Sequence, residues 1–205
     1  MVGKLVVLEG TDGTGKATQS RLLRDYLTKS GAASASFSYP DYGSVYGKVI
    51  DDFLHGKKKL TPDEQFFVYI LDMIKDISAV KEALGKGFVI MDRYLFSTLA
   101  YQCANGFEYD RAKKIIPLTG LQKPDLTLYI DVPVDVSMER KLKQKGTVDN
   151  FEKDRDLLTR VKKNYSIMMA EGFYSGSWAR IDGSQGIEKV SEAILSELER
   201  KLGRV

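Results

Sequence analysis

A chain of 205 residues with 43% hydrophobic side chains is long enough for one compact α/β core and short for two, so a single domain over residues 1–205 is expected. Its 31 Lys and Arg against 28 Asp and Glu leave a net charge of +3, too little to argue for a nucleic-acid surface but compatible with a local cationic site. The lone cysteine, Cys103, leaves no internal disulfide and points to a reducing, cytoplasmic setting, and neither a membrane-length apolar run nor a leader peptide is evident.

The chain opens on its most informative stretch. Leu5, Val6, Val7 and Leu8 form an unbroken apolar run, which suits a parallel strand covered on both faces. Gly10, Gly13 and Gly15 follow, then Lys16, and then a segment whose Leu22, Leu23, Tyr26 and Leu27 sit at helical spacing. Glycine tolerates backbone angles that a Cβ forbids, so the turn can curl until its amides converge. With the helix dipole behind them and the Lys16 ammonium beside them, those amides make an anion trap. Gly10, Gly15 and Lys16 satisfy the phosphate-loop pattern G-x-x-x-x-G-K, which predicts a nucleoside triphosphate site. The pattern's next position is usually a hydroxyl that holds magnesium; here it is Ala17, followed by Thr18.

A second strand is predicted over 35–39, ending in the loop Tyr39-Pro40-Asp41-Tyr42-Gly43. That loop follows the carboxyl end of a strand, the edge where open parallel sheets bind ligands, so its tyrosines either face a ring and a sugar or pack the loop. A helix is predicted over 45–54, then a polar connector in which His55, the sole histidine, reads as solvated surface. Thr61, Pro62, Asp63 and Glu64 mark a helix start, and one helix is expected to run to Leu84. Its stripe of Phe66, Tyr69, Ile70, Met73, Ile77, Val80 and Leu84 suits either the core or a subunit interface.

Phe88, Val89, Ile90 and Met91 read as a buried strand ending in Asp92 and Arg93. An apolar strand tipped by aspartate resembles a Walker B element, whose carboxylate reaches the metal or its water shell, and Arg93 suits a bidentate grip on phosphate. Helices are expected over 96–103, where Cys103 reads as an apolar filler, and over 110–118; a strand follows over 124–131. The segment 136–145 carries Arg140, Lys141, Lys143 and Lys145, Gly146 and Thr147 interrupt it, and a helix restarts near 149 and runs to about 170. Those cations serve either a lid over phosphates, spanning about 141–151, or a solvated helix face. A last strand over 178–182, a turn, and a closing amphipathic helix with Ile187, Val190, Ile194, Leu198 and Leu202 complete the chain. Strands alternating with helices imply a parallel sheet sandwiched between helical layers.

Taken in order, EGTDGTGKATQ, YPDYG, DRYLFSTLAYQ, LQKPDLTLYIDVP, DNFEKD and the final DGS turn resemble the thymidylate kinase family of P-loop nucleoside monophosphate kinases, over nearly the whole chain. The resemblance implies the α/β fold of P-loop NTPases, a three-layer αβα sandwich with a parallel central sheet and a short lid. It implies ATP as donor, dTMP as acceptor, bridging magnesium and a homodimer formed through the helices between the second and third strands, with no membrane and no nucleic acid among the partners. Gly10, Thr11, Asp12, Gly13, Thr14, Gly15, Lys16, Ala17 and Thr18 would then form the ATP loop, with Arg140 bordering adenine. Asp12 would sit near the acceptor's sugar, Arg93 would hold its phosphate, and Asp92 would position the metal. Tyr39 would stack on the acceptor base, Tyr42 and Tyr69 would contact the acceptor nucleotide, Thr98 and Gln102 would meet its base edge, and Tyr101 would crowd the deoxyribose. Thr14 leaves the loop without the arginine some members carry, so Lys141, Lys143 and Lys145 become expected lid participants in transfer. Met73 stands about where the family carries an arginine that donates to the base carbonyl, which leaves a kinase of a different (deoxy)nucleoside monophosphate as the nearest alternative, and Lys75, two positions on, is expected to face elsewhere. A GTP switch is disfavoured by the absence of an N-K-x-D guanine signature, and Ala17 leaves a catalytically silent nucleotide binder as the contrasting possibility.

Overall fold

The computed structural model describes residues 3–145 and 155–203, the side chains of 141–145 excepted. Among these, five parallel strands form one sheet in the order β2-β3-β1-β4-β5. They are β1 (Leu5–Glu9), β2 (Ser34–Ser38), β3 (Phe88–Asp92), β4 (Leu126–Asp131) and β5 (Trp178–Asp182). The helices between them are α1 (Lys16–Lys29), α2 (Val45–Leu54), α3 (Pro62–Ile74), α4 (Ile77–Lys86), α5 (Leu95–Ala104), α6 (Tyr109–Ile115), α7 (Val134–Lys145), α8 (Arg155–Ala170) and α9 (Ile187–Leu202), with a 3-10 turn at Ile116–Leu118.

Strand periodicity divides the core. Leu5 and Val7 of β1 point to one face, packed with Phe66, Ile70, Leu99 and Val161; Val6 and Leu8 point to the other, packed with Leu23, Leu27, Ile194 and Leu198. Helices α1 and α9 therefore cover one face, and α3, α5 and α8 the other, the expected three layers. Because β1 is central and buried on both sides, its run can be wholly apolar until Glu9.

The start of α3 follows its sequence signature. Thr61 Oγ1 accepts from the Glu64 amide at 3.3 Å, the Thr61 amide donates to Glu64 Oε2 at 2.7 Å, and Pro62 occupies the first turn. The single helix expected to reach Leu84 is instead two. At Asp76 the backbone leaves helical geometry (φ −100°, ψ 2°), and its amide bonds back to Met73 O, three residues earlier. Hydrophobic spacing runs on through the break, since Phe66, Ile70, Met73 and Val80 all enter the same core; only the Lys75-Asp76 polar pair marks it. That stripe serves the protein's own interior, and the exposed apolar residues of α3 are Phe67 and Leu71. The helix expected over 110–118 is likewise short, closing in the 3-10 turn at Pro117.

Phe66 anchors the α3 face. It is fully buried and stacks on Phe107 with ring centroids 4.1 Å apart. Phe66→Ala is expected to cost about 3–5 kcal/mol by chemical denaturation, from lost transfer energy and the cavity left behind; a loss under about 1 kcal/mol would show that α3 is not docked as described.

Candidate active site

Parallel pairing of β1 with β3 sets Leu8 opposite Asp92, so the turn after β1 and the residues after β3 emerge side by side. The turn needs its glycines. Gly10 has φ +147°, and a Cβ there would lie 2.6 Å from Ile130 O. Gly15, at φ +89°, is the N-cap of α1 and offers no side-chain cap, which leaves the helix's first amides open to a ligand. Thr11 and Thr14 are buried and brace the loop from within, Thr14 Oγ1 donating to Thr11 O at 2.9 Å. Lys16 Nζ donates to the same carbonyl at 2.7 Å. Burial, and then the neighbouring Arg93 charge, pull the Lys16 ammonium down to about 8.

Arg93 ties this loop to the next element. It stands in the left-handed region at φ +66°, which a non-glycine residue holds only when its surroundings enforce it. Its amide donates to Leu8 O at 3.0 Å; its guanidinium donates to Gly10 O at 3.0 Å and Ser97 Oγ at 3.1 Å and pairs with Asp12. It also lies 5.7 Å from the centre of the Tyr101 ring.

Two clefts meet at Arg93. One is lined by Gly13, Gly15, Lys16, Ala17, Thr18 and Asp92: cationic and amide-rich, with one carboxylate at the strand tip. The other is aromatic and open to solvent at its mouth. Tyr69, Met73, Tyr94, Thr98, Tyr101 and Gln102 line it. Asp12, Tyr39, Pro40, Tyr42 and Arg93 belong to both linings. Inside the aromatic cleft, Thr98 Oγ1 and Gln102 Oε1 are buried without a hydrogen-bond partner among the described residues, so both are available to a polar ligand edge or a bound water.

The residues singled out from the sequence therefore fall into three groups. Asp12, Gly13, Gly15, Lys16, Ala17, Thr18, Tyr39, Tyr42, Tyr69, Asp92, Arg93, Thr98, Tyr101 and Gln102 line the paired clefts, while Gly10, Thr11 and Thr14 shape the loop behind them. Arg140 lines neither cleft; it donates to Gly183 O at 2.8 Å and Ser184 O at 3.3 Å, on the turn after β5. The lid expected over 141–151 lies beyond the description from 146 onward, as do the side chains of Lys141, Lys143 and Lys145. Met73 lines the aromatic cleft, whereas Lys75 lies behind Tyr39, as its spacing implied. Cys103 is partly buried, and burial pushes its thiol up to about 12, away from nucleophilic use. His55 is exposed beside Asp51, as expected.

Sequence reasoning gave Glu9 no role. Its carboxylate is fully buried beneath Arg93 and accepts from the Tyr94 amide at 2.8 Å, the Ser97 amide at 3.2 Å, Ser97 Oγ at 2.5 Å and Tyr165 OH at 2.8 Å. Burial pushes this carboxyl up, with the Ser97 bond and Arg93 charge opposing. An acid closing an otherwise apolar central strand was the available signal, because an ion there needs dedicated partners.

A phosphate loop opening into an aromatic cleft on this sheet defines a P-loop kinase of the nucleoside monophosphate class. The family profile described as Thymidylate kinase matches residues 8–194. A thymidylate kinase from Schizosaccharomyces pombe is 31% identical over 94% of this chain and 90% of its own length, and one from Brachyspira hyodysenteriae is 31% identical over 97% and 94%. A probable thymidylate kinase from Methanocaldococcus jannaschii is 32% identical over 94% of each. The solved thymidylate kinase of Candida albicans shares the fold with a TM-score of 0.78, at 21% identity over 97% of this chain and 92% of that one. The chain belongs to the thymidylate kinase family.

The depressed Lys16 ammonium gives a pH dependence. Protonation holds below about pH 8 and is lost above it, so kcat/KM for ATP, which reports the free enzyme, is expected to fall as pH rises through that value. A profile flat to pH 10 would contradict the buried position of Lys16.

Proposed function

We propose that the paired clefts carry out phosphoryl transfer with the roles set out below. The chain transfers the γ-phosphoryl group of ATP to dTMP, giving dTDP and ADP. An oxygen of the dTMP phosphate attacks the γ-phosphorus, and the bond from that phosphorus to the β–γ bridging oxygen breaks. Little covalent chemistry falls to the protein; it positions the two nucleotides and surrounds the moving charge with cations.

In this reading ATP lays its phosphates over the loop amides and the open start of α1, with Lys16 leaving its carbonyl partner for the phosphates. Arg93 holds the acceptor phosphate at the junction, and Asp12, already paired with Arg93, stands near the acceptor sugar. The thymine lies in the aromatic cleft with Tyr39 stacked on it, Tyr42 and Tyr69 along the wall and Tyr101 crowding the 2′ position of the sugar. Thr98 Oγ1 and Gln102 Oε1 meet the base edge; Met73 contributes packing alone. Arg140, on α7 and bonded to the turn after β5, borders adenine, and Lys141, Lys143 and Lys145 belong to the lid.

The residues present fit a magnesium ion held mainly by phosphates and water. Ala17 supplies no hydroxyl, no cluster of three metal-ligating side chains occurs among the described residues, and of the two carboxylates that line the phosphate cleft Asp12 is paired with Arg93, which leaves Asp92 at the strand tip to face the ion's water shell. When bound, magnesium supplies charge neutralisation across the β- and γ-phosphates. A homodimer and a cytoplasmic location belong to the same reading; Phe67 and Leu71, each 40% exposed on α3, support the first. No helix among the described residues is long and apolar enough to cross a membrane.

The observation that carries this function is the pair of unpartnered buried atoms, Thr98 Oγ1 and Gln102 Oε1, in a neutral aromatic cleft that opens onto a phosphate loop. A coupled assay for ADP with ATP and magnesium, over dTMP, dUMP, dCMP, dGMP and UMP, tests it. Fastest turnover on dTMP, lost on chelating magnesium, is expected. Best turnover on another monophosphate, or ADP formation indifferent to the acceptor, would overturn it.

A further inference from the structure

The loop of residues 39–44 supplies Tyr39, Pro40 and Tyr42 to both clefts, yet it is a surface segment whose Asp41 side chain is 48% exposed. Something must hold it. The α3–α4 break places Lys75 directly behind it. Lys75 Nζ lies 2.6 Å from Asp76 Oδ2, 3.2 Å from Asp41 Oδ2, 3.3 Å from Asp72 Oδ1 and 2.9 Å from the Asp72 carbonyl, and 5.3 Å from the centre of the Tyr39 ring. Asp72 is 1% exposed and accepts from the loop itself, from the Asp41 amide at 2.8 Å and Ser44 Oγ at 2.6 Å. Tyr39 OH donates to Asp76 Oδ2 at 3.2 Å. One ammonium thus stands among three carboxylates, two on the helix junction and one on the loop.

We propose that Lys75 is a positioning residue that latches the 39–44 loop to the α3–α4 junction and thereby holds Tyr39 as the wall of the acceptor cleft. This rests on reading that cleft as the dTMP site. Without the ammonium, Asp41, Asp72 and Asp76 repel one another across a gap of a few ångströms. Asp72 and Asp76 are fixed by the core packing of α3 and α4, so the exposed partner, Asp41, is the one that moves, and the loop with it. Lys75 lines neither cleft, so the effect reaches the acceptor through Tyr39 and leaves the reacting groups in place. Burial alone would lower the Lys75 ammonium, but the bond to Asp76 and the charge of Asp72 outweigh it and raise it, so the latch stays charged wherever the enzyme works.

Steady-state kinetics on Lys75→Met, Lys75→Arg and Asp76→Asn test the latch. Lys75→Met is expected to raise KM for dTMP roughly tenfold, the scale of a small misplacement at a binding wall, while kcat stays within about twofold and KM for ATP, whose cleft the loop only edges, rises by a clearly smaller factor. Lys75→Arg, which keeps the charge, is expected to restore most of the dTMP KM. Asp76→Asn, which keeps the shape of the junction, is expected to move KM for dTMP in the same direction by a smaller factor. A dTMP KM unchanged in Lys75→Met, or both substrates' KM rising by the same factor, overturns the proposal; if Lys75→Met is not recovered folded, an unchanged dTMP KM in Asp76→Asn does so. Failure of the underlying reading is separate: the unsubstituted enzyme would then show no preference for dTMP.

Discussion

Arg93 is the joint on which the site depends. Its left-handed backbone costs on the order of 1–3 kcal/mol, and the strain persists because the amide is fixed to Leu8 O while the guanidinium reaches Gly10 O, Ser97 Oγ and Asp12. Relaxing that backbone would swing the guanidinium away from the phosphate loop. The strain is therefore inseparable from the geometry in which the phosphate-loop cleft and the aromatic cleft share one cation. Parallel pairing of β1 with β3 makes this possible, since both strand tips then end at the same edge of the sheet.

Beneath that joint the charges are arranged for preorganisation. Glu9 is fully buried and faces Arg93, with the Tyr94 and Ser97 amides and the Ser97 and Tyr165 hydroxyls satisfying its oxygens. These bonds fix the start of α5, the helix that carries Thr98, Tyr101 and Gln102 into the aromatic cleft. The same carboxylate therefore supports both the Arg93 guanidinium and the α5 wall of that cleft. Removing it would leave a buried arginine facing fewer counter-charges, a larger penalty than its net contribution to stability suggests. Tyr165 brings α8 into the same network and stacks on Tyr129 of β4 with ring centroids 4.7 Å apart, so the layer behind the acceptor helix is tied to the sheet.

Much of this was legible in the residue pattern because the deciding physics is local. Buried parallel strands read as apolar runs, and the glycine turn, the capping box at Thr61 and the closing helix over Ile187–Leu202 carry their own signals. The α3–α4 break was not legible, because core-facing residues continue on both sides of it and the polar groups at the junction find their partners on a loop more than thirty residues earlier. Glu9 was passed over for a related reason: its partners come from β3–α5 and α8, which periodicity alone does not bring together. Lys75, read only as a neighbour of Met73, gains its meaning from the same break.

The central claim is that Lys16 and Arg93 bracket the path of one phosphoryl group, with a base seated against Thr98 and Gln102. A crystal structure with dTMP, magnesium and a non-hydrolysable ATP analogue measures this directly. The account predicts the dTMP phosphate about 3 Å from the Arg93 guanidinium, the γ-phosphate at Lys16, and the thymine edge on Thr98 and Gln102. A dTMP phosphate bound away from Arg93, with Thr98 and Gln102 still unpartnered, would contradict it.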